Sequence, residues 1–233
     1  MIITIDGPSG VGKSTLSKAL ARHLGFGQID SGALYRAVTL HCLRARAPFD
    51  DMQALERCAL GARVELHHSP HGDVVMLNGD VVDAELRDPE VSRRIANVAD
   101  LRSVRELVND VQRHAARGRD LILDGRDCGT VVFPDAEIKV YLTADALSRA
   151  RRRHEQMLLN KRPQAMQPLA EVVADLEARD ARDRARPFGA LRQSPDAVVV
   201  DTSGLTYEEG WQSLLRAVEE HPAFRARLAS TQE

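Results

Sequence analysis

The chain has few cysteines, no long apolar run and almost no lysine, and these shortages narrow what it can be. The three cysteines, Cys42, Cys58 and Cys128, are too widely spaced for a disulfide framework or a zinc site. No apolar run approaches the roughly 20 residues that a membrane-spanning helix needs. A predicted strand begins at residue 2, which leaves no room for a signal peptide. We therefore expect a cytoplasmic protein with no membrane partner.

An excess of charge of one sign is also missing. The net charge is −2, so nothing draws the whole chain toward nucleic acid, and we expect no nucleic-acid partner. Only four of the 32 basic residues are lysine, and the rest are arginine. One explanation for this excess of arginine over lysine is the base composition of the genome. The other is that some arginines clamp phosphate, which a guanidinium binds with two hydrogen bonds where an ammonium offers a point charge.

A glycine-rich loop near the N-terminus is the most informative feature that is present. It has the pattern Gly, four residues, Gly, Lys, Ser, and it lies between an apolar run (2–6) and a helical pattern that begins at Lys13. This is the Walker A phosphate loop in its required strand–loop–helix context. Lys13 is expected to reach the terminal phosphates and Ser14 to ligate magnesium. The residues predicted to bind the nucleoside triphosphate are Gly7, Pro8, Ser9, Gly10, Val11, Gly12, Lys13, Ser14 and Thr15.

Strand and helix patterns alternate along most of the chain. Strands are predicted at residues 2–6, 28–30, 120–124, 137–142 and 197–201, and helices at 13–24, 32–46, 51–61, 89–99, 103–117, 146–159, 169–184 and 207–219. Residues 62–83 instead predict two or three antiparallel strands, with one turn at Pro70-His71-Gly72 and a hairpin turn at Asn78-Gly79. We expect the tail after Pro222 to be loosely held. The pattern predicts an α/β fold: a mostly parallel sheet covered by helices on both faces, with a small antiparallel hairpin insertion.

A charged stretch follows the second predicted strand, at an end of the sheet where such folds bind ligands. It runs from Asp30 to Arg36. Ser31 either caps the helix that follows or binds a ligand. Arg36 is a cation on the first turns of that helix, where the helix dipole favours an acid, and this placement suggests an anion to bind.

A second stretch, Asp124–Thr130, follows the strand at 120–124 and carries two glycines and opposite charges. Arg126 and Asp127 either pair with each other or belong to a binding loop. Asp124 stands where an acid often supports magnesium through water in phosphate-loop enzymes. Asp30 is the other acid that could support the metal, and the sequence leaves the choice open.

A third stretch, 177–186, is rich in arginine and aspartate. On a helix, Arg179, Arg182, Asp183 and Arg186 share one face. This face is either solvated and held by internal ion pairs, or it is part of a phosphate clamp.

Together these stretches resemble the cytidylate kinase family of bacterial nucleoside monophosphate kinases. The resemblance covers roughly residues 2–220, and its first motif is shared by many phosphate-loop proteins. The motifs that carry it are Ile5–Thr15, Asp30–Arg36, Asp124–Pro134 and Arg179–Arg184. It implies a P-loop kinase fold with a helical lid, ATP as phosphoryl donor, Mg²⁺, and CMP or dCMP as acceptor.

The resemblance also implies a role for each candidate residue. Ser31, Arg105 and Asp127 would bind cytosine; Arg36, Arg126 and Arg186 the acceptor phosphate; Arg179 and Asp183 the sugar hydroxyls; and Lys13, Arg126, Arg179 and Arg186 would act in catalysis. Asp127 suits its role because a carboxylate accepts from the exocyclic amino group that uracil lacks. One departure is Ala96, beside Asn97, where the family often has a serine near the base.

The implied organisation has three parts: a core at 1–61, 100–145 and 190–225, an inserted monophosphate-binding piece at 62–99, and a lid with arginine-rich helices at 146–189. The stretch 149–162 is the lid candidate, because closure keeps water from taking the phosphoryl group. Which of Arg149, Arg151, Arg152 and Arg153 reach that group stays open. We expect a monomer.

A nucleic-acid-binding ATPase is disfavoured by the mild negative charge and the lack of a basic stripe. Two other functions compete with this interpretation. One is a P-loop kinase for another small acceptor, such as a different monophosphate or shikimate. The other is a non-catalytic nucleotide-dependent switch. A GTP-dependent switch needs an Asn-Lys-x-Asp motif to bind guanine, and the sequence contains none.

Overall fold

The computed structural model of the chain describes residues 1–67, 73–159 and 167–231, and its elements follow the predicted alternation. The strands are β1 (Ile2–Asp6), β2 (Gly27–Asp30), β3 (Val64–His67), β4 (Val74–Leu77), β5 (Asp80–Val81), β6 (Leu121–Gly125), β7 (Ile138–Thr143) and β8 (Val198–Asp201). The helices are α1 (Lys13–Leu24), α2 (Ser31–Arg44), α3 (Met52–Leu60), α4 (Pro89–Ala99), α5 (Arg102–Ala115), α6 (Ala146–Leu159), α7 (Leu169–Ala185), α8 (Tyr207–Glu219) and α9 (Pro222–Thr231), with a short 3₁₀ turn at Glu85–Arg87 and a single π-helical turn at Cys128–Val132.

The chain divides into two compact units. The first unit contains residues 1–25 and 122–233, and the second contains residues 26–121. The second unit therefore includes residues 26–61 and 100–121, which the sequence assigns to the core. The predicted division into core, inserted piece and lid stays a prediction.

In the first unit, β6, β1, β7 and β8 lie side by side in that order. The β1–β7 and β7–β8 pairs are parallel, with Ile3 opposite Ile138 and Val140 opposite Val198. All residues from Ile3 to Asp6 are buried, and successive side chains of a strand point to opposite faces, so both faces of β1 are covered. This confirms the predicted α/β fold with a mostly parallel sheet.

The second unit contains the predicted hairpin insertion. Strands β3, β4 and β5 form an antiparallel sheet in which Val64 lies opposite Leu77. Asn78 and Gly79 connect β4 to β5 with φ values of 53° and 95°, the left-handed pair that a tight hairpin turn requires. A second predicted turn, at Pro70-His71-Gly72, lies outside the described residues.

The prediction of a loosely held tail is wrong for most of its length. Residues Pro222–Thr231 form α9, which starts with a proline, a residue well suited to the first helical position. Phe224 is buried, and its N–H donates to the carbonyl of His221 at 3.0 Å. Burial of one aromatic side chain therefore orders a segment whose terminal position predicts mobility. In the described ranges, no helix is both long and apolar enough to cross a bilayer.

Candidate active site

The phosphate loop lies between β1 and α1, as its pattern predicts. Gly7, Gly10 and Gly12 have φ values of 152°, 76° and 98°, which side chains rarely allow. A Cβ on Gly7 would also lie 2.1 Å from the carbonyl oxygen of Leu142, because the loop passes directly over β7. No acidic residue occupies the first turn of α1, so its positive end is available to a bound anion.

Lys13 is held inside this loop. Its Nζ donates to the carbonyl oxygens of Gly7 at 2.8 Å and Pro8 at 2.7 Å, and the residue is buried. Burial, and then the nearby guanidinium of Arg126, lower the pKa of Lys13 well below its ordinary value, while the carboxylates of Asp124 and Asp6 act in the opposite direction. An anionic phosphate would offset both effects and favour the charged ammonium.

Ser14 and Asp124 form an oxygen cluster beside the loop. Ser14 Oγ donates to Asp124 Oδ1 at 2.7 Å, and Ser17 Oγ donates to Oδ2 at 2.8 Å. A hydroxyl and a carboxylate are the ligand types that Mg²⁺ prefers, so these residues fit the metal that the motif implies. Asp30, the alternative, instead caps α2 by accepting from the backbone N–H of Ala33 at 3.3 Å.

Arg126 connects the loop after β6 to two other elements of the site. Its Nε donates to Asp183 Oδ2 at 2.9 Å on α7, and its Nη2 donates to Ser9 Oγ at 2.8 Å in the phosphate loop. Arg186 Nη2 lies 2.6 Å from Asp183 Oδ1. Burial tends to raise the pKa of Asp183. The guanidiniums of Arg126, Arg186 and Arg179 together have the larger, opposite effect, so the pKa lies below its ordinary value. A carboxylate that stays ionised thus orients two of the predicted phosphate-binding arginines.

The inward face of α7 differs from the predicted arginine face. Arg179 and Arg182 are exposed, while Asp180 is fully buried. Asp180 accepts from the backbone N–H of Ser9 at 2.8 Å and from Arg149 Nη1. The sequence interpretation missed Asp180, although a stripe of Val172, Leu176, Asp180 and Asp183 recurs at helical spacing and marks the buried side.

Two arginines of the predicted lid contact the phosphate loop. Arg149 donates from Nη1 to the carbonyl of Ser9 at 3.0 Å. Arg152 donates from Nη1 to the carbonyl of Val11 at 3.3 Å and to Thr202 Oγ1 at 2.9 Å. Both therefore fix the position of the loop backbone. Residues 160–162 of the lid candidate lie outside the described ranges, and lid closure stays a prediction.

Asp6, at the end of β1, holds the loop that carries Asp127. Its carboxylate accepts from the backbone N–H groups of Cys128 at 2.9 Å and Gly129 at 2.7 Å. Burial raises the pKa of Asp6 to about 6, although these two hydrogen bonds lower it. The sequence interpretation missed this residue, whose only signal is an acid at the end of a buried apolar strand. Asp127 itself is buried next to this anchor.

We expect Asp6→Asn to destabilise the protein, because an amide has one oxygen for the two N–H groups. An unsatisfied buried N–H costs about 1–3 kcal/mol. The folded pKa lies above the ordinary value of 3.8, so the folded protein binds more protons than the unfolded chain between about pH 4 and pH 6. The contribution of Asp6 to the free energy of unfolding therefore falls as pH rises through that window, by about 3 kcal/mol.

Urea unfolding at pH 4, 5, 6 and 7 measures this effect. The stability advantage of the wild type over Asp6→Asn should shrink as pH rises, whereas Asp135→Asn, at an exposed position, should show no such trend. An advantage that is constant or grows with pH would contradict the assigned pKa.

The second unit contains the other predicted substrate residues. Ser31 does not cap α2, because Asp30 takes that role, and Ser31 is instead the first helical residue. Its Oγ donates to Gln112 Oε1 at 2.6 Å. Arg105 is buried, donates from Nη1 to the carbonyl of Ala99 at 3.0 Å, and places its guanidinium 5.1 Å from the centre of the Tyr35 ring.

Arg36 is half-buried on α2, one residue after Tyr35. The structure thus describes Ser31, Arg36 and Arg105 in one unit, and it brings Arg126, Asp183 and Arg186 together with the phosphate loop in the other. Gln112 is a further residue that the sequence interpretation missed, because a glutamine on a helix gives no distinctive signal.

The chain resembles known proteins over most of its length. The family described as "Cytidylate kinase" matches residues 3–220. Similar curated proteins are the cytidylate kinases of Rhodopirellula baltica (41% identical, covering 94% of this chain and 93% of the relative), Geobacillus kaustophilus (41%, 94% and 96%) and Mycolicibacterium paratuberculosis (42%, 88% and 90%). A match of this extent, on a chain with a well-formed phosphate loop, places the protein in the cytidylate kinase family.

Proposed function

We propose that the protein transfers the terminal phosphoryl group of ATP to CMP or dCMP, giving CDP or dCDP. The observation that carries the proposal is the arrangement around the phosphate loop. Arg126 contacts Ser9 of that loop and Asp183 of α7, so a predicted acceptor-binding arginine lies directly beside the predicted donor site. Family membership supplies the identity of donor and acceptor.

The donor side is formed by Gly7–Thr15. Its backbone N–H groups and the positive end of α1 would surround the phosphates of ATP, and Lys13 would bind the terminal ones. Ser14 would ligate Mg²⁺, with Asp124 supporting it. The metal would neutralise phosphate charge.

The acceptor side uses the remaining residues. Arg36, Arg126 and Arg186 would bind the phosphate of CMP, and Arg179 and Asp183 the sugar hydroxyls. Ser31, Arg105 and Asp127 would bind the cytosine. The lowered pKa of Asp183 supports its role in binding the sugar hydroxyls, because an ionised carboxylate can accept hydrogen bonds from hydroxyls and from arginine at the same time.

No general base is needed for this reaction. The attacking atom is an oxygen of a phosphate whose second pKa is about 6, so it is already largely ionised at neutral pH. The protein contributes position and charge: Lys13 and the arginines bind the oxygens among which negative charge is distributed in the transition state. This accounts for a site built from Arg and Lys with no His or Cys nucleophile among its assigned residues.

A coupled assay with ATP, Mg²⁺ and a panel of acceptors tests the proposal. We expect kcat/KM for CMP and dCMP to exceed that for AMP or shikimate by about a hundredfold or more, because a site that hydrogen-bonds a base discriminates strongly against groups that leave it unpaired. If AMP, UMP or shikimate serves as well as CMP, the protein is a P-loop kinase for another acceptor. ATP binding with no acceptor phosphorylated would instead favour a non-catalytic switch.

The proposal also includes a cytoplasmic monomer that acts on small molecules without a nucleic-acid or membrane partner. Light scattering at assay concentration tests the monomeric state. A mass of twice the 25.7 kDa of the chain would contradict it.

A further inference from the structure

A buried hydrogen bond in the second unit fixes the direction in which Ser31 can bond. Ser31 Oγ lies 2.6 Å from Oε1 of Gln112, on α5. Both residues are buried, with exposed fractions of 6% and 1%. The pair is therefore shielded from water that could offer either group another partner.

The amide of Gln112 has a definite orientation. Its Nε2 donates to the carbonyl oxygen of Val108, one helical turn earlier, at 3.3 Å. Only the NH₂ group of an amide can donate a hydrogen bond to a carbonyl, so the amide oxygen of Gln112 faces Ser31. The hydroxyl of Ser31 has a single hydrogen, and Gln112 takes it. Every other hydrogen bond at Ser31 Oγ must then be one that Ser31 accepts.

We propose that Gln112 is a positioning residue that makes Ser31 an obligate acceptor, and that this polarity selects a base with an amino group over one with a carbonyl at the same place. The inference rests on the proposed function, in which Ser31 contacts the base. Cytosine presents a 4-amino donor, whereas uracil presents a 4-oxygen acceptor. When Ser31 can only accept, it forms a hydrogen bond with the 4-amino group of cytosine. With uracil, its lone pairs face the lone pairs of the 4-oxygen.

Replacement of Gln112 by methionine tests the polarity, since methionine has similar length and offers no strong acceptor. The Ser31 hydroxyl can then rotate and donate to uracil. We expect the ratio of kcat/KM for CMP to that for UMP to fall about tenfold, which is the effect of one neutral hydrogen bond near the upper end of its usual range. CMP and UMP share sugar and phosphate, so general damage to the site leaves the ratio unchanged. Gln53→Met, at an exposed position of α3, is the matched control.

Ser31→Ala supplies a second test if Gln112→Met does not fold. We expect kcat/KM to fall about tenfold more for CMP than for UMP, because the lost hydrogen bond existed only with CMP. Equal losses for both substrates would mean that Ser31 can also donate, and would overturn the inference. In the Ser31→Ala background, Gln112→Met should leave the ratio unaltered, since the hydroxyl that it controls is gone.

The results separate this inference from the proposed function. A wild-type protein that phosphorylates neither CMP nor dCMP overturns both. A wild-type protein that prefers CMP, combined with a folded Gln112→Met variant whose CMP-to-UMP ratio equals that of the wild type, overturns only the role of Gln112. A ratio that falls in Gln112→Met, and does not fall further when Gln112→Met is added to Ser31→Ala, supports it.

Discussion

Replacing Lys13 by methionine should lower kcat for CMP phosphorylation by about a thousandfold, the upper range for loss of one charged or hydrogen-bonding group aimed at a transition state. The Lys13 ammonium lies at the centre of the phosphate loop, within 2.8 Å of two loop carbonyls, and it is the only lysine that the structure places in the loop. Methionine keeps the length and apolar character of the side chain, so it removes charge with little loss of packing.

The matched control is Lys18→Met, on the exposed side of the same helix, which should keep kcat within about twofold of wild type because a solvated surface charge contributes little. Rapid-quench kinetics at saturating ATP and CMP give kcat, and thermal unfolding confirms that both variants fold. A folded Lys13→Met variant with kcat within tenfold of wild type would show that the loop lysine is not a catalytic residue.

Replacing Asp127 by alanine should lower kcat/KM for CMP by about a hundredfold or more and leave the Kd of ATP within about twofold of wild type. Without the Asp127 carboxylate, the site loses a hydrogen bond to the base. The polar group of the base is then buried without a partner, which costs additional binding free energy. Asp127 is buried in the loop after β6, which Asp6 holds through two backbone N–H groups. The phosphate loop itself is formed by other residues.

Isothermal titration with ATP and steady-state kinetics with CMP separate the two effects. Asp135→Ala, an exposed acid shortly after the same loop, should change neither quantity. Equal losses in ATP affinity and in CMP use would mean that Asp127 serves the fold or the metal site, and would contradict its assignment to cytosine.

The sequence predicts the fold best where local signals agree. Ile2–Asp6 and Lys13–Leu24 have the predicted bounds because an apolar run, a glycine loop and a helical stripe specify neighbouring segments. The Asn78-Gly79 turn follows from the left-handed φ values that these residues tolerate. The C-terminal helix was not predicted, because burial of Phe224 is a tertiary contact that local composition does not encode.

The candidate site is predictable only in part, for the same reason. The phosphate loop is a contiguous motif, and its geometry follows from its residue types. Asp6, Asp180 and Gln112 act through partners that are 122, 171 and 81 positions away in the chain. No spacing rule within one segment identifies such pairs. Arg149 shows the same limit: the prediction of a lid at 149–162 gives no sign that Arg149 Nη1 donates to the carbonyl of Ser9 in the phosphate loop.

Transfer of a labelled phosphoryl group in a single turnover tests the central claim most directly. Enzyme in excess over ATP labelled in the terminal phosphate is mixed with CMP and Mg²⁺, quenched, and separated by chromatography. The account predicts that the label appears in the terminal phosphate of CDP, at a rate that Lys13→Met lowers about a thousandfold. Label released as inorganic phosphate, with CMP unchanged, would contradict it.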